Sequence, residues 1–340
     1  MSYKIVHTLN IPGKDLGETL LGSLDVDLVK GLWGTEEEFI EHCHDADAIV
    51  GDISRKPFSR RVIESLEKCR IIAGAALGFE SIDMASACEK TIAVTNVPDY
   101  CLDEVSGRAI AHMLALAYKI TVIDRAVKEK QMNMVGDMNA MLEVVRPVFR
   151  IRGQTLGLIG CSKIGTAVAM KAKGLGMRII ACDPLVFEGV LNSLGIELVD
   201  MDTLLRESDF VSLHIPFMPS TKGLMGYEQF KKMKRTAYFI NTSRGGCVDE
   251  PALIRALQEG LIAGAGLDVT EKEPTEKGNP LLKMDNVLLT GHSGWYSTEA
   301  EYELFTKPTA QVVMTLEGKW PTYGLNPQIR DAWLKKWGKK

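Results

Sequence analysis

The sequence has no apolar run long enough to span a bilayer. Its opening stretch, MSYKIVHTLNIPGKD, lacks the long apolar core of a secretory signal, so a cytoplasmic protein is expected. There is no large excess of either charge. Forty basic residues stand against forty-four acidic ones, for a net charge of −4, which gives no general attraction to nucleic acid or an anionic membrane. There is no C-x-x-C pair. The seven cysteines (43, 69, 88, 101, 161, 182 and 247) are odd in number and scattered, as expected for reduced thiols serving as small core residues. Short-period repeats and low-complexity segments are absent as well. The segment HCH at 42–44 offers three adjacent side chains that do not converge on a metal without further ligands. The methionines at 132, 134, 138 and 141 suit packing or an interface better than a sulfur ligand site.

A length of 340 residues exceeds what one core usually serves, so two domains are expected. Short apolar runs rich in β-branched residues recur, each followed by a helical pattern. YKIVHTL, ADAIVGD, RIIAGAA and IAVTNVP come first; TLGLIG, MRIIACD, FVSLHIP, AYFINTS, AGAGLDV and NVLLTGH follow from 154. Strands apolar along their whole length, alternating with helices, indicate parallel sheets covered on both faces. Between the two sets, Val105, Ile110, Met113, Leu114 and Ala117 fall at helical spacing and predict a long connecting helix. The tail TAQVVMTLEGKW has the same spacing and is expected to return to the first unit.

The segment GLIGCSKIGTAV (157–168) resembles the dinucleotide-binding pattern G-x-G-x-x-G, with Gly160 and Gly165 in the outer places and Ser162 in the middle one. Context strengthens it. TLGLIG is a strand directly before the loop, and a helical stretch with small residues follows. Asp183 closes the next strand, 183 − 165 = 18 residues past the last glycine. An acid there binds the ribose hydroxyls of NAD and repels the 2′-phosphate of NADP. The helix N-terminus supplies N–H groups for the pyrophosphate. Ser162 adds bulk where backbone approaches phosphate, but its hydroxyl suits a phosphate oxygen. Three later segments carry polar residues just past strand ends: INTSRGG with Arg244, GLDVTEKEP with Asp268 and Glu273, and LLTGHSGWYS with His292. In open α/β sheets ligands bind beyond those ends. Reduction of a 2-keto acid needs a proton donor for the keto oxygen, which an imidazolium beside a carboxylate supplies, and a bidentate cation for the carboxylate, which arginine supplies.

Together these motifs, with IDMASACEKTIAVTNVPDY, RGQTLGLIG, SDFVSLHIP and INTSRGGCVDEPAL, resemble the D-isomer-specific 2-hydroxyacid dehydrogenases from about residue 45 to 328. The resemblance implies an α/β fold of two Rossmann-like domains with parallel sheets and the active site in the interdomain cleft. A flavodoxin-like substrate domain would comprise 1–102 plus 300–340, and an NAD-binding Rossmann domain 103–299. It implies Arg244, Glu273 and His292 as the catalytic set and NAD as cofactor. The cofactor residues would be Gly160, Ser162, Lys163, Ile164, Gly165, Asp183, His214, Pro216, Thr242, Ser243 and Asp268, the last holding the nicotinamide carboxamide. Ala76, Leu77 and Gly78 would meet the substrate carboxylate. WYS after the histidine and RIRGQTLG are similar to the branch containing the C-terminal-binding-protein corepressors, where the tryptophan lines the pocket; Trp295 would favour an apolar or thioether side chain. The family also implies a homodimer through the NAD-binding domain. Departures are Ser162, Gly107 and Arg108 in place of an acid and a histidine, Ala76 in place of a glycine, and Gly291 in place of a proline. The other function class weighed is an NAD(H)-sensing, corepressor-like binding protein. Formate as hydride donor would pair the histidine with glutamine, so Glu273 speaks against it; phosphite is the remaining donor of that kind.

Overall fold

The computed structural model describes residues 2–9, 15–22 and 24–339. The chain forms two compact units, Met1–Tyr100 with Ser297–Lys340, and Cys101–Tyr296. In the first, five parallel strands lie in the order β2-β1-β3-β4-β5: β1 Tyr3–His7, β2 Val26–Lys30, β3 Ala48–Gly51, β4 Ile71–Gly74 and β5 Ala93–Thr95. The central strands β3 and β4 are apolar throughout because both faces are covered. Val6, Ile49, Ile72 and Val94 join one core with Phe39 and Phe58. Ile5, Val50, Ile71 and Ala73 join the other with Val312 and Leu316 of the helix Thr298–Leu316 and with Trp333. In the HCH segment, His42 stacks on Trp33, Cys43 is buried, and His44 Nδ1 lies against the carbonyls of Ile40 and Glu41.

His7, at the end of β1, is wholly buried, and neither ring nitrogen has a described partner. Burial, outweighing the nearby Glu18, lowers its pKa from 6.5 to about 4. As pH falls below 6.5 the unfolded chain takes up a proton that the folded chain refuses until about 4, so stability falls across that window. The full loss is on the order of 3 kcal/mol for such a group. A His7→Leu variant is expected to lose less stability than the parent between pH 7 and about 4.5 in urea titrations. Equal acid sensitivity in both proteins would contradict this.

The second unit holds seven parallel strands in the order β12-β11-β10-β9-β6-β7-β8. They are β6 Thr155–Ile159, β7 Arg178–Cys182, β8 Glu197–Leu198, β9 Phe210–Leu213, β10 Tyr238–Asn241, β11 Gly264–Leu267 and β12 Val287–Leu289. Strand order reverses between β6 and β9, so the loop after β6 opens at a topological switch point, where α/β sheets bind ligands. One face packs Val211, Phe239 and Leu253; the other packs Leu158, Ala169 and Met113. The predicted connecting helix is Leu102–Ala117. Its buried face is Val105, Ser106, Ala109, His112, Met113, Leu116 and Ala117, while Ile110 and Leu114 are only partly buried. The apolar spacing alone did not single out His112 for the interior.

Candidate active site

The strands of the second sheet are parallel, so the loops after β6, β7, β9, β10, β11 and β12 share one edge. At the first loop, the two outer glycines are fixed by sterics. Gly160 has φ +88, and a Cβ there would stand 2.5 Å from the His214 carbonyl oxygen. A Cβ on Gly165 would stand 2.3 Å from the Gly160 oxygen. Ser162 is different: its φ is −77, open to any residue, so the missing glycine carries no backbone strain. It begins the helix Lys163–Gly174, and its side chain does not cap that helix. The first-turn amides of Lys163, Ile164 and Gly165, with the serine hydroxyl, are therefore left for an anion.

Asp183, half-buried just past β7, accepts hydrogen bonds from Cys161 N at 2.8 Å and Leu185 N at 2.9 Å. One carboxylate thus shapes the glycine loop and keeps lone pairs for ribose hydroxyls. Across the switch point, His214 is buried, with Nε2 2.8 Å from Ser212 Oγ, and burial lowers its pKa to about 4. His214 Nδ1 and Thr242 Oγ1 are buried polar atoms without a described partner. Pro216 is exposed and Ser243 half-buried beyond the neighbouring strand ends. An anion-ready helix end, a ribose-ready acid and these orphaned polar atoms fit a dinucleotide.

The loop after β10 is built on Asn241, which is 1% exposed. Its Oδ1 accepts from Ser243 N and Oγ, both at 3.0 Å, and its Nδ2 donates to the Arg244 carbonyl at 3.0 Å. The half-buried Arg244 donates from one guanidinium nitrogen to the Ser243 carbonyl at 2.9 Å. A Cβ on Gly245 would stand 1.9 Å from the Thr270 oxygen, so the arginine loop lies directly against the loop that carries Glu273. That second loop is held by Thr270 Oγ1, which donates to the Lys272 carbonyl at 2.9 Å, and by Glu250, which accepts from Glu271 N at 2.8 Å.

Glu273 Oε2 lies 2.7 Å from His292 Nδ1. Both side chains are about one-third exposed or less. His292 itself has φ +58, as does Gly291 before it. Proline, locked near −65°, cannot adopt that conformation, which accounts for the glycine at 291. The histidine loop is pinned by Asp268, which is 4% exposed. Its Oδ1 accepts from Thr290 Oγ1 at 2.5 Å and Ser293 N at 3.1 Å; its Oδ2 accepts from Gly294 N at 2.9 Å. About one lone-pair position remains on that carboxylate. Trp295 is half-buried, edge-to-face with Tyr296 at 5.5 Å. Ala76, Leu77 and Gly78 belong to the first unit, where the carbonyls of Ala76 and Leu77 accept from Val97 N and Asn96 Nδ2.

Asn241, Glu250 and Thr290 were not singled out from the sequence. Asn241 is visible there only as one residue of INTSRGG, and its role depends on burial. Among the described residues no cluster suits a metal ion, and no helix is long and apolar enough to cross a membrane.

Residues 110–294 match the family described as D-isomer specific 2-hydroxyacid dehydrogenase, NAD binding domain. A glyoxylate reductase of Korarchaeum cryptofilum is 37% identical over 93% of this chain and 95% of its own. Among solved structures, a glyoxylate reductase from Paecilomyes thermophila superposes with a TM-score of 0.84 at 28% identity, covering 96% of this chain and 99% of that one. The NAD-complexed D-isomer specific 2-hydroxyacid dehydrogenase of Lactobacillus delbrueckii ssp. bulgaricus gives 0.75 at 26% identity, covering 96% and 100%. The chain therefore belongs to the D-isomer-specific 2-hydroxyacid dehydrogenase family and is an NAD-dependent oxidoreductase acting on 2-hydroxy acids.

Proposed function

We propose that the protein reduces small 2-keto acids through a His292–Glu273 acid/base pair and Arg244. The observation that carries this reading is the 2.7 Å contact between His292 Nδ1 and Glu273, beside an arginine loop packed against the glutamate's own loop. With Nδ1 engaged, Nε2 is the ring atom that gives the proton to the keto oxygen, and takes it back in the reverse reaction. Glu273 holds the ring in place through Nδ1. Arg244 binds the carboxylate and polarises the carbonyl. Bound NADH supplies the hydride that C2 receives. The amides of Lys163, Ile164 and Gly165, with Ser162, take the pyrophosphate, and Asp183 takes the adenosine ribose. Gly160, His214, Pro216, Thr242 and Ser243 line the rest of the cofactor's path, and Asp268 offers its remaining lone pair to the carboxamide. Ala76, Leu77 and Gly78 offer backbone N–H groups to the substrate carboxylate, and Trp295 faces its side chain. These roles divide the chain into a substrate domain and an NAD-binding domain.

Glyoxylate, pyruvate and longer apolar or thioether 2-keto acids, each tested with NADH, form the panel that tests this reading. Turnover on one of them supports it; NADH binding with no turnover on any would favour a nucleotide-sensing binder instead. The relatives found, reductases and dehydrogenases, do not favour that second reading. An Asp183→Asn variant is expected to narrow the NADH-over-NADPH preference by roughly 10²-fold, because the charge facing the 2′-phosphate is gone. An unchanged ratio of kcat/KM would refute the role of Asp183.

A homodimer through the second unit is part of the proposal. The helices Ile120–Lys130 and Met138–Val145, the segment between them and the segment after them leave Ile120, Val127, Val135, Met138, Val148 and Phe149 exposed. Exposed apolar residues gathered in one stretch of sequence are the material of such an interface. Sedimentation is expected to show a dimer, and Val135→Asp with Met138→Asp to shift it towards monomer; a monomeric parent would sink this part. A cytoplasmic location fits seven scattered cysteines, odd in number and with no C-x-x-C pair.

A further inference from the structure

His112 lies on the core face of the helix Leu102–Ala117 and is 3% exposed. It fits there because β11 has no side chain at Gly266, where a Cβ would stand 2.7 Å from the histidine Cβ. Its Nε2 is 3.1 Å from Thr290 Oγ1, which donates to Asp268 Oδ1 at 2.5 Å. A threonine hydroxyl has one proton. With that proton directed at the carboxylate, Thr290 Oγ1 accepts from His112, so Nε2 carries the hydrogen. Burial lowers the pKa of His112, and the charged groups facing it are Asp268 and Arg108. The ring is therefore neutral near pH 7, with one defined tautomer.

The same Asp268 fixes the histidine loop. Its carbonyl accepts from His292 N, and its carboxylate accepts from Ser293 N and Gly294 N. These bonds surround two consecutive residues in the left-handed region, Gly291 and His292. A histidine at positive φ is held there only when its surroundings over-determine it.

We propose that His112 and Thr290 are positioning residues: the chain His112–Thr290–Asp268 braces the Gly291–Gly294 turn from the core and so keeps the His292 imidazole on Glu273. The inference rests on the reading of His292 as the acid/base. Outer-shell partners that orient a metal-bound histidine are typically worth 10- to 100-fold, and an effect of about that order is expected for this chain.

The experiment compares Thr290→Val and Thr290→Ser, His112→Leu and His112→Gln, and His292→Asn. It measures kcat, KM, the pH–rate profile, NADH affinity by nicotinamide fluorescence, and the ring resonances of His292 in the cofactor-free protein. Thr290→Val and His112→Leu are expected to lower kcat roughly 10- to 100-fold, move the pH–rate profile and perturb the His292 resonances, with NADH affinity far less affected. Serine keeps the hydroxyl and glutamine keeps a donor, so both should recover most of the loss. Parental kcat and pH profile in Thr290→Val and His112→Leu, with His292→Asn inactive, would overturn the inference and leave the acid/base reading standing. Parental turnover in His292→Asn would overturn both. Should Thr290→Val fail to fold, the His112 pair decides, and a loss not recovered by His112→Gln counts against the proposal.

Discussion

Replacing His292 with asparagine is expected to lower kcat by about 10²- to 10⁴-fold while NADH still binds. The half-buried ring sits on a pinned loop, and its contact with Glu273 engages Nδ1. Asparagine tolerates the left-handed backbone at this position, so the loop is preserved and only the proton donor is lost. A fall in kcat with little change in KM for the keto acid identifies an interaction made in the transition state. Glu273→Gln should cost less, about 10-fold. It removes the carboxylate that holds Nδ1 of the ring, so the imidazole is oriented less firmly. A parental rate in His292→Asn across the pH range would mean that the proton comes from elsewhere.

The second large effect is at Arg244. Alanine there is expected to reduce kcat/KM by roughly 10³-fold, about 4 kcal/mol of transition-state stabilisation. Lysine should recover only part of this, because a point charge does not reproduce the two-pronged hold on a carboxylate. The loop should survive both changes. Asn241 binds the Arg244 main chain and Gly245 packs on Thr270, so most of the loop's anchors remain when the guanidinium's bond to the Ser243 carbonyl is lost. Steady-state kinetics of the two variants on one keto acid, with thermal melts as controls, decide it. Losses confined to KM with kcat intact would assign Arg244 to uniform binding alone.

Much of this was legible in the sequence because the relevant signals are local. The apolar strands, the outer glycines at 160 and 165, the acid at 183 and the polar residues after β10, β11 and β12 all declare themselves in short windows. Whether Ser162 disturbs the loop was not legible. The answer is its φ of −77, which only the folded backbone reveals. Gly291 likewise reads as a departure until its φ of +58 is seen. Asp268 was assigned to the cofactor alone, yet its carboxylate also pins the histidine loop. That second use depends on three residues, Thr290, Ser293 and Gly294, that fold back onto it. His112 was hidden for a related reason. Helical spacing shows that a position faces a core, and says nothing of which strand residue leaves room for an imidazole; Gly266 does that from more than 150 positions away.

The most direct test of the central claim is rapid mixing of the parent protein and His292→Asn, each loaded with NADH, against the keto acid panel, following loss of the nicotinamide signal. The account predicts fast oxidation of NADH by at least one keto acid in the parent and a slow or absent phase in the variant, with equal NADH loading. Equal rates in the two proteins would contradict the assignment of the acid/base pair.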